Sequence, residues 1–241
     1  MENQFSRTAL LFGKENIEKL NSSRVIVFGL GGVGSYAVEA LARSGIGFLD
    51  IVDDDTVSET NLNRQLYALH STLGQYKVDV AESRIKDINP LCRVEKHRAF
   101  FLPETSSSFD FSQYDYIVDC IDTVAGKIQI ALKAQEAGKP VISSMGAGNK
   151  IDPTKFQVCD IYETSVCPLA RVMRQELKKR GVRKLKCVFS TEKSVAPKES
   201  GSLGEKHPGS SSKSVPGSNA FVPSVAGLII AGEVIKDLLG K

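Results

Sequence analysis

Arg24-Val25-Ile26-Val27-Phe28-Gly29-Leu30-Gly31-Gly32-Val33-Gly34-Ser35 decides the fold of this chain. Residues 24–28 are a short apolar, β-branched run, which reads as a buried strand. Residues 29–34 satisfy G-x-G-x-x-G, and residues 33–43 carry a helical pattern. A glycine turn between a strand and a helix lets backbone N–H groups approach a phosphate at the helix N-terminus. Residues 48–52 form a second apolar run ending at Asp53. A carboxylate about 20 residues past the glycine turn is placed to hydrogen-bond ribose hydroxyls. The turn alone fits NAD, FAD or ATP, and also a tight connection that binds nothing.

Outward from this unit, strands and helices alternate. Helical patterns cover residues 5–20, 76–88 and 127–137. Strand patterns cover 92–97, 116–120 and 140–144. Such alternation predicts an α/β, Rossmann-like, mostly parallel sheet with helices on both faces. After about residue 148 the pattern changes, with strands expected at 155–161 and 185–190 and a helix at 168–180. Residues 194–218 are rich in Ser, Gly, Lys and Pro and are expected to form a mobile loop. Residues 221–239 close the chain as a helix. The organisation expected is one domain over residues 1–241, with a nucleotide-binding core at 1–150 and a substrate-side elaboration at 151–241.

Composition narrows the class. The chain has 241 residues, 41% of them hydrophobic and 24% charged, as in an ordinary globular domain. Its net charge of +3 is too small to imply nucleic-acid binding by itself. Cys92, Cys120, Cys159, Cys167 and Cys187 form no C-x-x-C pair, which argues against a zinc site of that type and against a disulfide framework. A reducing, cytoplasmic compartment is expected. Residues 1–23 lack the apolar stretch of a signal peptide. The apolar segment 225–239 is interrupted by Glu233 and Lys236, so a buried terminal helix is expected and no membrane span.

The stretch Asp53-Asp54-Asp55-Thr56-Val57-Ser58-Glu59-Thr60-Asn61-Leu62-Asn63-Arg64-Gln65 changes the odds among nucleotides. It is followed by Gly74-Gln75-Tyr76-Lys77 and, later, by Asp119-Cys120-Ile121-Asp122. This ordered set resembles the ubiquitin-activating-type superfamily, whose members adenylate a carboxylate with ATP. Charge builds on the phosphates as pyrophosphate leaves, so cations must already be in place. The resemblance implies that Arg64 and Lys77 hold the phosphates, that Asp122 coordinates Mg2+, that Asp53 binds ribose and that Asn61 lines the triphosphate site. Asp55 and Gln65 lie in the same motif and, with Gly29, Gly31, Gly32 and Gly34, complete the expected ATP-binding set. It further implies a homodimer in which an N-terminal arginine, here Arg7, reaches the partner's site. Arg7, Arg64, Lys77 and Asp122 are thus the expected catalytic residues.

The second half separates the branches. Sulfur-carrier-activating relatives usually carry two C-x-x-C pairs, and this chain has none. Cys167-Pro168-Leu169-Ala170-Arg171-Val172-Met173-Arg174, then Leu177-Lys178-Lys179-Arg180, is similar to the branch that dehydrates threonylcarbamoyladenosine in transfer RNA. Pro216-Gly217-Ser218 fits the same branch. Some members have a cysteine near that point for sulfur-relay partners, but Ser214, Val215 and Pro216 stand here, so a sulfur-relay partner is not expected. Arg171, Arg174, Lys178, Lys179 and Arg180 are the expected RNA contacts. Their charge also fits a plain solvated helix end. Two alternatives stay open at this point: activation of a small sulfur-carrier protein, and an NAD-dependent oxidoreductase that uses only the glycine turn and Asp53.

Overall fold

The N-terminal stretch expected as one helix is two, α1 (Ser6–Phe12) and α2 (Lys14–Ser22), because Gly13 sits between them at φ 94°. No α-helix passes through a residue in that region. The computed structural model describes residues 3–196 and 216–241. The strands are β1 (Arg24–Phe28), β2 (Phe48–Val52), β3 (Arg93–His97), β4 (Tyr116–Asp119), β5 (Val141–Ser144), β6 (Phe156–Asp160) and β7 (Lys186–Ser190). The remaining helices are α3 (Gly34–Ser44), α4 (Lys77–Ile88), α5 (Val124–Ala137), α6 (Pro168–Lys179) and α7 (Val222–Leu239). Helix α5 starts one turn earlier than its apolar pattern suggested. Thr123 stands at its N-cap and Gly138, at φ 66°, ends it.

The strands form one seven-stranded sheet in the order β3-β2-β1-β4-β5-β7-β6. Every pairing is parallel except β6 with β7. Chain direction reverses its walk across the sheet between β1 and β4, so a crevice opens there at the carboxyl ends of the strands. The two strands expected beyond residue 150 extend this same sheet.

Strand periodicity divides the core. Val25, Val27, Leu49, Ile51 and Val118 face α3, α4 and α7. Ile26, Phe28, Val52 and Ile117 face Ile130 and Ala134 of α5 together with Phe101, Phe109 and Phe111. A third cluster joins α5 to α6 and β7 through Ile128, Met173, Leu177 and Phe189. Each such side chain contributes about 1.5–3 kcal/mol on burial. Helices α3 and α7 approach so closely at Gly227 that an added Cβ would lie 2.2 Å from the Val33 carbonyl oxygen.

Helix α7 is the expected closing helix, and no helix among the described residues is long and apolar enough to cross a membrane. Most of the expected 194–218 loop, residues 197–215, lies outside the described residues. Its two flanks meet at Asn149, which has φ 56°. The Asn149 carbonyl accepts the Val195 N–H at 2.8 Å, and its Oδ1 accepts the Gly217 N–H at 2.7 Å.

Candidate nucleotide site and basic helix

The glycine turn connects β1 to α3 at the crevice. Gly29 adopts φ 87°, and a Cβ there would lie 3.0 Å from the Cys120 backbone. At Gly34 a Cβ would lie 1.8 Å from the Gly29 carbonyl oxygen, so only glycine closes this turn. Gly31 is open on its outer side, with Gln65 Nε2 the nearest atom to a built Cβ at 3.9 Å. Gly32 packs against Pro223 and the Arg64 stem. The first turn of α3 opens onto this cradle, where its positive dipole end favours an anion.

Asp53, at the end of β2, ties the cradle together. Its Oδ2 accepts the Leu30 N–H at 2.6 Å, and its Oδ1 accepts the Asp55 N–H at 2.9 Å. Lys77 opens α4 beside it, with Nζ 2.5 Å from Asp55 Oδ2 and 3.8 Å from Asp53 Oδ1. Burial pushes the Asp53 carboxyl above its usual range, against the pull of Lys77 and the two backbone donors. The carboxylates of Asp53, Asp54 and Asp55 have oxygens within 4.8 Å of one another.

The segment between β2 and α4 brings up the other expected residues. Asn61 is buried, and its Oδ1 accepts the Ser58 N–H at 3.2 Å, closing the turn that presents the next residues. Among the described residues the Arg64 guanidinium bonds only neutral acceptors, the Thr60 carbonyl at 2.8 Å and Asn63 Oδ1 at 2.9 Å. Burial lowers its pKa, as expected for a cation taken from water without a carboxylate. Gln65 is 8% exposed, and its Oε1 has no partner among the described residues. Glycines that a Cβ would obstruct and a half-buried guanidinium with no carboxylate partner among the described residues fit a phosphate, while the orphaned Gln65 oxygen, an acceptor, fits a donor such as a nucleotide hydroxyl or amino group.

Asp122 lies on the turn between β4 and α5, at the same edge of the sheet. It is exposed and makes no side-chain hydrogen bond among the described residues. A lone carboxylate beside bound phosphates suits Mg2+, which takes one or two protein carboxylates and keeps several waters. Sequence reasoning missed two neighbours. Thr123 is buried, and its Oγ1 has no partner among the described residues. Lys127, fully buried, bonds both oxygens of Asp119 at 3.1 Å. Its position three, four and seven residues before the buried Ile130, Ala131 and Ala134 was the available signal that it points inward.

Arg7 is not brought to this site within the chain. It is exposed on α1, and Phe5, at the start of that helix, packs near Gly45, past the end of α3 remote from the glycine turn. The expected RNA contacts lie on α6, whose first turn packs beside Gly146 at the carboxyl edge of the sheet. Arg171 and Lys178 are exposed. Arg174 is half-buried, and its guanidinium donates to both the carbonyl, at 2.9 Å, and the hydroxyl of Thr164. Lys179 and Arg180 pair with Glu176. Lys186 turns the other way, to Glu233 and Asp237 of α7.

Residues 5–241 match the family model described as the ThiF family. The chain is 48% identical to the tRNA threonylcarbamoyladenosine dehydratase of Bacillus subtilis, over 99% of this chain and 96% of that protein. The crystal structure of the Escherichia coli tRNA N6-threonylcarbamoyladenosine dehydratase with AMP matches at a TM-score of 0.88 and 34% identity, covering 98% of this chain and 94% of that one. A structure of the same enzyme with ATP matches at 0.87 and 33%, with the same coverage.

Proposed function

The chain belongs to the ThiF family, among its tRNA threonylcarbamoyladenosine dehydratases, and from that premise we propose that it uses ATP to cyclise N6-threonylcarbamoyladenosine in transfer RNA. The observation that carries the reading is Arg64, a half-buried guanidinium with no carboxylate partner among the described residues, packed against a glycine turn that a Cβ would close.

The threonyl carboxylate attacks the α-phosphorus of ATP, a P–O bond forms, and pyrophosphate leaves. The carbamoyl group of the same nucleotide then attacks the acyl adenylate, expelling AMP and leaving a product lighter by one water. The second nucleophile is intramolecular, so proximity stands in for an enzyme nucleophile. The N–H groups at the start of α3 and the Arg64 and Lys77 cations oppose the charge that grows on the phosphates. Asn61 and Gln65 line the same space, and Asp53 with Asp55 orients Lys77 and borders the ribose. Asp122 would hold Mg2+, which supplies charge neutralisation at the phosphates when bound.

Transfer RNA would lie along α6, on Arg171, Lys178, Lys179 and Arg180, with Arg174 bracing the helix. Arg7 would serve the site of a second copy in a homodimer. The neighbouring Leu10 and Leu11, 87% and 78% exposed, give α1 an apolar surface for such an interface. The protein would work in the cytoplasm, in keeping with five free cysteines.

The test is mass spectrometry of nucleosides after incubation with ATP and modified transfer RNA. Loss of one water from threonylcarbamoyladenosine is the expected result. Adenylation of a sulfur-carrier C-terminus without that loss would overturn the reading.

A further inference from the structure

The strand-to-turn junction that carries Asp122 is held by charges with no part in the chemistry above. Lys127 Nζ, with 0% side-chain exposure, lies 3.1 Å from each oxygen of Asp119, which is itself 1% exposed. The same ammonium donates to the Ser144 carbonyl at 2.7 Å and lies 3.3 Å from Ser143 Oγ. Ser143 in turn donates to Asp119 Oδ2 at 2.5 Å. Asp119 Oδ1 also accepts the Ile121 N–H at 3.3 Å, the residue just before Asp122.

Desolvating two charges costs several kcal/mol per ion, and a well-packed apolar pair of similar volume often stabilises as much or more. Burial of this pair is therefore poorly explained by stability. What the pair fixes is position. It joins the end of β4, the first turn of α5 and the end of β5 at one point, and it pins the Ile121 amide. The other side of the junction is set by the Cys120 N–H donating to the Phe28 carbonyl at 2.8 Å and by the close approach of Gly29. Asp122 has no side-chain partner among the described residues, so the backbone alone decides where its carboxylate stands.

We propose that Lys127 and Asp119 are positioning residues, which hold the Ile121–Asp122–Thr123 turn so that the Asp122 carboxylate meets the cation bound with ATP. The inference rests on the reading of Asp122 given above. Both side chains are buried, so the role assigned to them is indirect.

The test compares Lys127→Met, Lys127→Arg, the charge-free double variant Asp119→Asn with Lys127→Met, and Asp122→Asn. Two quantities are read on the full chain: the Mg2+ concentration giving half-maximal ATP binding in calorimetry, and amide exchange across residues 119–124. Lys127→Met should raise the Mg2+ requirement about tenfold or more, the scale of a lost orienting group behind a metal ligand. Exchange in the turn should quicken roughly tenfold while strand β1 stays protected. Lys127→Arg, which keeps a charge-paired donor, should recover most of both effects. If Lys127→Met fails to fold, the double variant carries the same expectation, because it leaves no unpaired buried charge. A folded variant with an unchanged Mg2+ requirement, where Asp122→Asn raises it, overturns the positioning role alone. An unchanged requirement in Asp122→Asn overturns the role of Asp122 itself and this inference with it.

Discussion

Lys77 Nζ lies 2.5 Å from Asp55 Oδ2, and the Lys77 backbone N–H donates to the Asp55 carbonyl at 3.0 Å. The lysine is fixed at both ends by one residue before any nucleotide is present. Among the described residues Arg64 bonds only neutral oxygens. The two cations therefore fail differently when removed. Lys77→Ala and Arg64→Ala should each lower turnover roughly 10²-fold, the scale of lost transition-state electrostatics. Lys77→Ala should also lower the melting temperature, since it removes a buried cation that faces the carboxylates of Asp53 and Asp55. Arg64→Ala should leave the melting temperature nearly unchanged. Steady-state AMP formation and calorimetric melting check both expectations, and equal melting shifts would contradict the contrast.

Nucleotide choice follows from the same geometry. NAD chemistry has no use for a guanidinium and a carboxylate that lie near one glycine turn and have no charged partner among the described residues. Isothermal calorimetry should find ATP binding that strengthens with Mg2+ and exceeds NAD binding. Tight NAD binding with no detectable ATP binding would rule out adenylation.

The glycine turn, β1, β2 and the acid at Asp53 were legible in the sequence because their signals are local. They are an apolar run, a spacing of glycines and a carboxylate at a strand end. The ATP assignment needed the longer ordered motif through Lys77 and Asp122, since no local feature separates ATP from NAD. What stayed hidden is tertiary. Gly13 breaks a helix whose flanking pattern runs straight through it. The Thr164 turn that receives Arg174 lies off the helix, so charge alone could not separate Arg174 from Arg171. Lys127 carried a phase signal, but its partners Asp119 and Ser143 come from two different strands.

Asp50 supplies a pH-dependent element away from the site. It is 2% exposed, yet Arg24 donates to both its oxygens at 2.9 Å, with His97 Nε2 and the Tyr114 hydroxyl each at 3.2 Å. Burial acts to raise its pKa, and the bonds from His97 and Arg24 outweigh it, leaving the carboxyl below its usual range. A depressed carboxylate stabilises fully above its unfolded pKa and loses that contribution as pH falls through the folded value. Unfolding free energy should thus drop as pH falls below about 4. In Asp50→Asn that part of the slope should be missing, and the protein should already be weaker at pH 7. Denaturant titrations of both proteins between pH 3 and 7 measure it, and parallel slopes would exclude Asp50 as the source.

The basic helix gives the prediction that bears most directly on substrate. Arg171 and Lys178 are exposed on α6, whereas Arg174 spends its guanidinium on Thr164 and Lys186 is paired with Glu233 and Asp237. Binding a phosphate requires a cation that is free or, like Lys179, solvated and paired only with a neighbour on its own helix, so the eight positive charges between residues 171 and 186 are not equivalent. Neutralising Arg171, Lys178 and Lys179 together should weaken transfer RNA binding. It should also reduce the slope of log affinity against log salt by about one unit for each phosphate that the variant no longer neutralises. Melting temperature and ATP affinity should change little, since these side chains are solvated and lie outside the glycine cradle. Arg174→Ala should show the reverse. It removes two hydrogen bonds that tie α6 to the turn after β6, so stability should fall by about 1–3 kcal/mol, with the salt slope changed less than in the triple variant. Filter binding of transfer RNA across a salt series, beside calorimetric melting, separates the two behaviours. An unchanged salt slope in the triple variant would leave α6 as a solvated helix and move the RNA elsewhere.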